Sequence, residues 1–475
     1  MIARSVTTGL ALLLAVSCTT VPPRAQPGKL PQAAACAQPK PGAGPPPPET
    51  PTTIDVVEQA YQCILTAYYG AATLDHRTLL SAGFAALTQQ LDRDGRDLPD
   101  ATMPAFTGNR QTDWAAFETL YRRLTDRLPD LREKLAVVTL EAIVAALDDN
   151  HARWTYGGGK RPPGYYDGDQ YGLGLKASLG RQATPGAALP PLFVTTITGG
   201  AAEAAGLRPG DVIESINGSP PFTGGALTPA ALAALYPRYP EADPVTLRLH
   251  RQDGDRRWSV RLKPGLFQPG PDTVQTVSGT VRDKTIAHVR LAGFAPDSAD
   301  RVFKTIARLG TGKKLTGVVL DLRGNGGGSP EEATRLVSGF AHGKVTAYQC
   351  AADGTCETMR TDDSVPLLNL PLVVLVDRAC ASACEHFSSA IKDHRLGPLV
   401  GSRTAGVISG PAQPYTLSNH TSLGFPSKHH LAPNREVIDR VGVAPDHHVP
   451  LTAADAAAGR DPALAKALTL LRAPA

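Results

Sequence analysis

The run Pro371–Val376, "PLVVLV", constrains the fold more than any other stretch. It is short, wholly apolar and half β-branched. Such a strand is covered on both faces, as in the centre of a parallel sheet. It leads into "ACASACEHFSSAIKD" at 379–393, where Glu385 to Lys392 reads as an amphipathic helix with Phe387 and Ile391 on one face. A second buried strand, "VVLDL" at 318–322, runs into the glycine-rich turn "RGNGGG" and the helix "PEEATRLVSGF". With the strand "KTIAHVRLAGF" and the helix "SADRVFKTIARL", strands and helices alternate from about Val274 to Pro450. That alternation predicts an α/β core with parallel pairing over 274–452. A last helix, "DPALAKALTLL", falls in 453–475.

The rest of the chain changes period twice. From Ile54 to Leu147 apolar residues recur at three- and four-residue steps, as in "VVEQAYQCILTAYY" and "LREKLAVVTLEAIVAALDD", so 54–150 is predicted to be a small helical domain. Residues 168–264 instead carry short strands between turn residues, among them "DVIESING", "VTLRLHR" and "RRWSVRLK". Length agrees, because 475 residues exceed one ordinary domain. Charge is nearly balanced, 48 basic against 44 acidic side chains with no dense basic run, which argues against a nucleic-acid partner.

The first eighteen residues, "MIARSVTTGLALLLAVSC", read as a secretory signal too short to span a membrane. Ala15-Val16-Ser17 before Cys18 is similar to a bacterial lipobox, which predicts lipidation at Cys18. Residues 19–53 are proline-rich, cannot bury a core, and are predicted to be an extended tether. The chain is therefore expected to be exported and held at the bacterial cell membrane, facing the periplasm or exterior. In that oxidising setting Cys350 and Cys356, flanking the turn "AADGT", are candidates for a cross-hairpin disulfide. Cys36 lies in the tether and Cys63 in a helix. For Cys380 and Cys384, small buried packing is favoured over a bridge. No cysteine pair has zinc-site spacing, and neither a metal nor an organic cofactor is implied.

Ser382 follows a buried strand and precedes a helix, where free amides and the positive dipole end favour developing negative charge. Taken alone it is an N-cap serine. The Gly324–Gly328 turn lacks the Lys-Ser or Lys-Thr of a phosphate loop and the spacing of a dinucleotide site. Its glycines let backbone amides approach a ligand, as an oxyanion hole requires.

Two resemblances extend this reading. "YGLGL" at 171–175 and "GGAAEAAGLRPGDVIESING" at 199–218 resemble a bacterial PDZ domain. That implies capture of a peptide C-terminal carboxylate on the backbone of Tyr171, Gly172, Leu173 and Gly174. "DLRGNGGG", the strand–"ACASACE"–helix unit, "GSRTAG" at 401–406 and "DRVGVAPD" at 439–446, in that order, resemble the tail-specific, or C-terminal processing, serine peptidase family, which includes the tricorn-type proteases. The resemblance implies an α/β (crotonase-like ββα) peptidase core with polypeptide substrates. It assigns Ser382 as nucleophile, and the amides of Gly326, Gly327 and Ala383 as oxyanion donors. The best-known branch has a lysine base after the "TxG" turn, where this chain has Val407. Other branches carry a histidine ahead of the PDZ-like domain and pair it with a carboxylate near "GVxPD". That pattern assigns His151 as base and Asp439 as orienting acid, with Glu436 the alternative acid and His386 the rival base. Arg290 stands where tricorn-type relatives carry histidine, with His288 nearby. His429-His430 and His447-His448 are read as solvent-facing loops. The competing readings are an inactive PDZ-like docking module and a ligand-binding protein.

Overall fold

A computed structural model describes residues 36–39, 47–155, 163–164, 167–179, 189–240, 243–270 and 275–472. The predicted signal segment and Cys18 lie outside the described residues, as does most of the tether. The chain is a multidomain α/β protein.

Four helices, α1 (Ile54–Ala67), α2 (His76–Arg93), α3 (Arg110–Arg127) and α4 (Arg132–Ala145), form the N-terminal bundle. Asp75 caps α2 by accepting from the Arg77 amide, and Asn109 caps α3 by accepting from the amides of Gln111 and Thr112. Tyr61, Ile64, Leu79, Phe117 and Leu140 fill the bundle core, and Tyr415, Leu417, Leu423 and Phe425 belong to the same core. These last four come from a hairpin over residues 412–426, so the helical domain is not self-contained. Strand β1 (Arg153–Thr155) pairs antiparallel with that hairpin. The predicted tether ends earlier than its composition suggests. Cys36 is disulfide-bonded to Cys63 of α1. Ala37 bridges Thr416 on the hairpin edge, whose free backbone groups accept a further chain. Thr52 is buried beneath Asn419, whose side-chain amide donates to it at 3.1 Å.

The β-rich domain comprises β2 (Gln170–Gly172), β3 (Leu175–Ala177), β4 (Val194–Ile197), α5 (Gly200–Ala204), β5 (Val212–Ile216), β6 (Phe222–Thr223), β7 (Ala226–Leu227), α6 (Pro229–Leu235), β8 (Val245–Arg251), β9 (Arg256–Leu262) and β10 (Gly265–Phe267). Strands β5, β8 and β9 form an antiparallel sheet. Along β8, Val245, Leu247 and Leu249 point inward while Thr246 and Arg248 face solvent, the alternation of a sheet with one wet face.

The core follows in chain order: β11 (Val277–Arg282), β12 (Ile286–Leu291), α7 (Ser298–Leu309), β13 (Gly317–Asp321), α8 (Pro330–Ser338), β14 (Val345–Ala351), β15 (Cys356–Arg360), β16 (Leu372–Val376), α9 (Ala383–Asp393), β17 (Leu399–Gly401), β18 (Ala412–Thr416), β19 (Ser422–Pro426), β20 (Lys428–Leu431), β21 (His447–His448), α10 (Ala453–Ala457) and α11 (Pro462–Arg472). Six strands make one sheet in the order β11-β12-β13-β16-β17-β21, parallel except at β11. Both faces are covered. Val318, Leu320, Leu372 and Val374 pack with α7, α8 and α9, while Val319, Val373 and Leu375 pack against Ala463 and Ala467 of α11. This two-sided burial is why the strands read as unbroken apolar runs.

Both histidine pairs are strand residues, which corrects their reading as loops. His447 and His448 form the parallel edge strand beside β17, and His429 and His430 lie in β20, paired with β14. Cys350 and Cys356 are directly paired across β14–β15 and are disulfide-bonded.

Candidate active site

Ser382 occupies the bend between β16 and α9 with φ 56° and ψ −120°, a conformation that costs a non-glycine residue on the order of 1–3 kcal/mol. Several contacts impose it. The Ala381 amide donates to the Asn325 carbonyl at 3.0 Å, and the Ser382 amide to the Val407 carbonyl at 2.9 Å. Cys380 and Cys384, two residues to either side, are disulfide-bonded with their Cα atoms 5.3 Å apart. They are bridged, not merely packed: Cys380 precedes the helix, so the bond spans a turn instead of a helical face.

The glycine loop lies directly against this bend. Gly327 has φ 99°, and a Cβ there would stand 2.7 Å from both the Ala381 carbonyl and the Ser382 Cβ. Only glycine fits. Of the three predicted oxyanion amides, that of Gly327 is already committed, donating to Asn325 Oδ1 at 2.9 Å. The amides of Gly326 and Ala383 donate to no group among the described residues. Ala383 opens α9, where the first amides have no intrahelical partner. A cleft of about 360 Å³ adjoins the loop, lined by Thr276, Ala292, Phe294, Ala295, Gly327 and Gly328.

Glu385, in the first turn of α9, is a residue that sequence reasoning missed. It is fully buried and accepts from Thr404 Oγ1 at 2.5 Å and from the amides of Gly406 at 2.7 Å, Val407 at 2.8 Å and Ser382 at 3.2 Å. Burial pushes its carboxyl up to about 7 against the pull of those donors. One carboxylate thus ties the serine bend to the 404–407 loop. The helix pattern located Glu385, but nothing in the sequence signalled its burial.

His151 meets the same loop two residues on. Its Nδ1 lies 2.6 Å from Asn150 Oδ1 and 3.2 Å from Ser409 Oγ. Asn150 Nδ2 donates to Asp439 Oδ1 at 2.9 Å and to the Gly406 carbonyl at 3.4 Å, and these two acceptors fix the amide's orientation. Asn150 Oδ1 therefore faces the ring, so Nδ1 carries the proton and the Nε2 lone pair is free. Asp439 does not touch the imidazole directly, as the sequence reading supposed; Asn150 stands between them. Asp439 also accepts from the Ile408 amide at 3.1 Å, whereas Glu436 is exposed. Burial lowers the His151 proton affinity, with Asp149 and then Asp439 opposing it and Arg153 adding to it. No hydrogen bond joins His151 to Ser382 among the described residues.

The other candidates lie elsewhere. His386 is fully buried, its Nε2 3.4 Å from Thr334 Oγ1 and its ring 5.2 Å from that of His430, and burial lowers it to about 4. His288 Nε2 stands 3.4 Å from Asp321 Oδ2, within a part-buried group completed by Arg323. Val407 is buried with Ala381 and Ala405. In the β-rich domain, Tyr171 and Gly172 pair with β10, and the Leu173 and Gly174 carbonyls accept from Ala202 and Thr198, each at 2.8 Å. The Leu173 and Gly174 amides donate to no group among the described residues. No group of three or more metal-ligating side chains occurs among the described residues.

Residues 285–449 match peptidase family S41. The carboxyl-terminal-processing peptidase 2 of Arabidopsis thaliana chloroplasts is 29% identical over 318 residues, covering 66% of this chain and 60% of that protein. The carboxyl-terminal-processing protease of Synechocystis is 26% identical over 350 residues, covering 72% and 76%. The carboxy-terminal processing protease of Bacillus subtilis is 30% identical over 216 residues, covering 45% and 44%. The chain thus spans less than two thirds of the Arabidopsis and Bacillus relatives. In fold, the structure of mature CPAF complexed with lactacystin superposes with a TM-score of 0.50 at 12% identity, covering 83% of this chain and 98% of that one. Residues 285–449 thus carry a peptidase family S41 domain, and the chain is similar over most of its length to carboxyl-terminal-processing proteases.

Proposed function

We propose that this protein is a serine endopeptidase that hydrolyses polypeptides through Ser382, His151 and Asp439, the acid acting through Asn150. The observation that carries the reading is the shared loop. Val407 accepts from the Ser382 amide, while Ile408 and Ser409 contact Asp439 and His151. One short segment thus spaces the serine from the imidazole. In the reaction Ser382 Oγ attacks the scissile carbonyl and gives its proton to His151 Nε2. The resulting oxyanion is held by the amides of Gly326 and Ala383. His151 then protonates the leaving amine, and water reverses the sequence on the acyl-enzyme. Catalytic hydrogen bonds often tighten only once substrate is bound, so a direct serine–imidazole bond is not required beforehand. The cleft beside Gly327 takes a side chain next to the scissile bond. The Leu173 and Gly174 amides, in a domain read as PDZ-like, hold a substrate's terminal carboxylate. Export and lipid anchorage at Cys18 belong to the same proposal.

A fluorophosphonate probe tests it. The full chain should label at Ser382, with labelling lost in Ser382→Ala and reduced at least a hundredfold in His151→Ala. A folded wild type that neither labels nor degrades casein would refute the hydrolase and leave a docking module.

A further inference from the structure

We propose that Tyr68, supplied by the helical domain, and Asp149 form a positioning pair for His151, with the Ser409 hydroxyl set between carboxylate and ring. This rests on the reading of His151 as the general base. The Tyr68 hydroxyl donates to Asp149 Oδ2 at 3.0 Å. Asp149 Oδ1 accepts from Ser409 Oγ at 2.7 Å and from the His151 backbone amide at 2.8 Å. Ser409 Oγ gives its proton to Asp149 and so presents a lone pair to His151 Nδ1, 3.2 Å away. The ring's protonated nitrogen therefore has two acceptors, Asn150 Oδ1 and Ser409 Oγ. Each is held by a different carboxylate.

Tyr68 is placed to anchor this arrangement. It follows the last residue of α1, its ring is 7% exposed, and it meets Phe425 edge-on at 6.1 Å between centroids. Burial pushes its hydroxyl well above the ordinary tyrosine range, so it stays a donor at every working pH. Three donors converge on Asp149. The surrounding charges are Asp439 and Arg440 on the 439–440 turn, Arg153 on β1, His429 and His430 on β20, and Tyr69, which stacks on His429 at 5.0 Å. Arg440 is itself paired with Asp148 at 2.6 Å. Asp149 is the foremost of the charges that raise the ring's proton affinity. The helical domain would then be part of the catalytic apparatus, not a passive lead-in.

The test follows the fluorophosphonate labelling rate against pH in the full chain, beside the NMR titration of the His151 ring in histidine-labelled protein. Asp149→Asn should move the His151 midpoint down by about one pH unit, the shift expected on losing a carboxylate at this range. Tyr68→Phe should lower the plateau rate about three- to tenfold and move the midpoint in the same direction. Phe425→Leu, which alters the packing on the Tyr68 ring and leaves the hydroxyl's bond to Asp149 available, should leave the midpoint in place. Wild-type midpoints in both Asp149→Asn and Tyr68→Phe overturn the proposal. So does a Tyr68→Phe protein that behaves like Phe425→Leu. If the wild type never labels but the NMR midpoints shift as stated, the peptidase reading fails and the positioning pair stands.

Discussion

Glu385→Gln probes the link between the serine bend and the loop that carries the imidazole contacts. In the native protein Oε1 accepts from Thr404 and Gly406, and Oε2 from Val407 and Ser382. Glutamine keeps one oxygen and turns an NH2 toward the other pair of donors. Ser382 retains its bond to the Val407 carbonyl, so the orphaned group is the Val407 amide. An unsatisfied buried donor costs about 1–3 kcal/mol, and losing the charge-assisted bonds adds a comparable amount. The sum is about 2–4 kcal/mol, borne where Ser382 is held in its strained conformation. The fluorophosphonate rate should fall tenfold or more, with a lower urea midpoint.

The pH dependence sharpens the test. Glu385 titrates near 4.5 unfolded and about 7 folded. Its contribution to stability is therefore complete below pH 4.5 and is lost as pH rises through 7. The bend, however, needs the ionised form to accept four donors, so labelling should rise over the same interval. Subtracting the Glu385→Gln stability curve from wild type isolates this group, because the buried histidines act in the opposite sense. A Glu385→Gln protein with the wild-type labelling rate and denaturation midpoint would refute the argument.

Other expectations follow from the same geometry. Gly327→Ala drives a Cβ into the Ala381 carbonyl and the Ser382 Cβ at 2.7 Å. It should abolish labelling while circular dichroism stays native; ordinary labelling would show that the two loops are not in contact. Cys380→Ala/Cys384→Ala removes the staple across a backbone strained by about 1–3 kcal/mol. It should slow labelling about tenfold, and an unchanged rate would mean the packing alone sets the bend. His386 is held neutral by burial, titrating at about 4 instead of 6.5. Its contribution is present above pH 6.5 and lost as pH falls through 4, about 3 kcal/mol in all. His386→Gln should therefore resist acid unfolding to lower pH, as followed by intrinsic fluorescence, and an unshifted acid midpoint would remove His386 from the titration.

What the sequence made legible was whatever depends on neighbours along the chain. The strands Gly317–Asp321 and Leu372–Val376 announce two-sided burial because each consecutive residue meets one of two apolar layers. The glycine loop was legible because positive φ and close approach leave a compositional trace. Contacts between distant segments were not. His429 and His430 look like loop residues until β14, some eighty positions earlier, pairs with them. Cys36 looks like tether until Cys63 holds it. Asn150 stands next to His151 in "LDDNHARW", yet its placement between ring and Asp439 depends on a turn 289 residues away.

The absence of a lysine after Gly406 then has a structural counterpart. Val407 contributes its backbone, through an amide to Glu385 and a carbonyl to Ser382, while its side chain packs with Ala381 and Ala405. A base supplied from that position would have to leave this apolar contact. His151 comes instead from the end of the helical segment, whose core is completed by the 412–426 hairpin of the peptidase stretch. If His151 is the base as proposed, a chain built this way cannot lose its helical domain and keep that base. Removing residues 54–151 should therefore expose Tyr415, Leu423 and Phe425 and eliminate labelling together, whereas a truncated chain that stays soluble and labels at Ser382 would show that the proton acceptor lies outside residues 54–151.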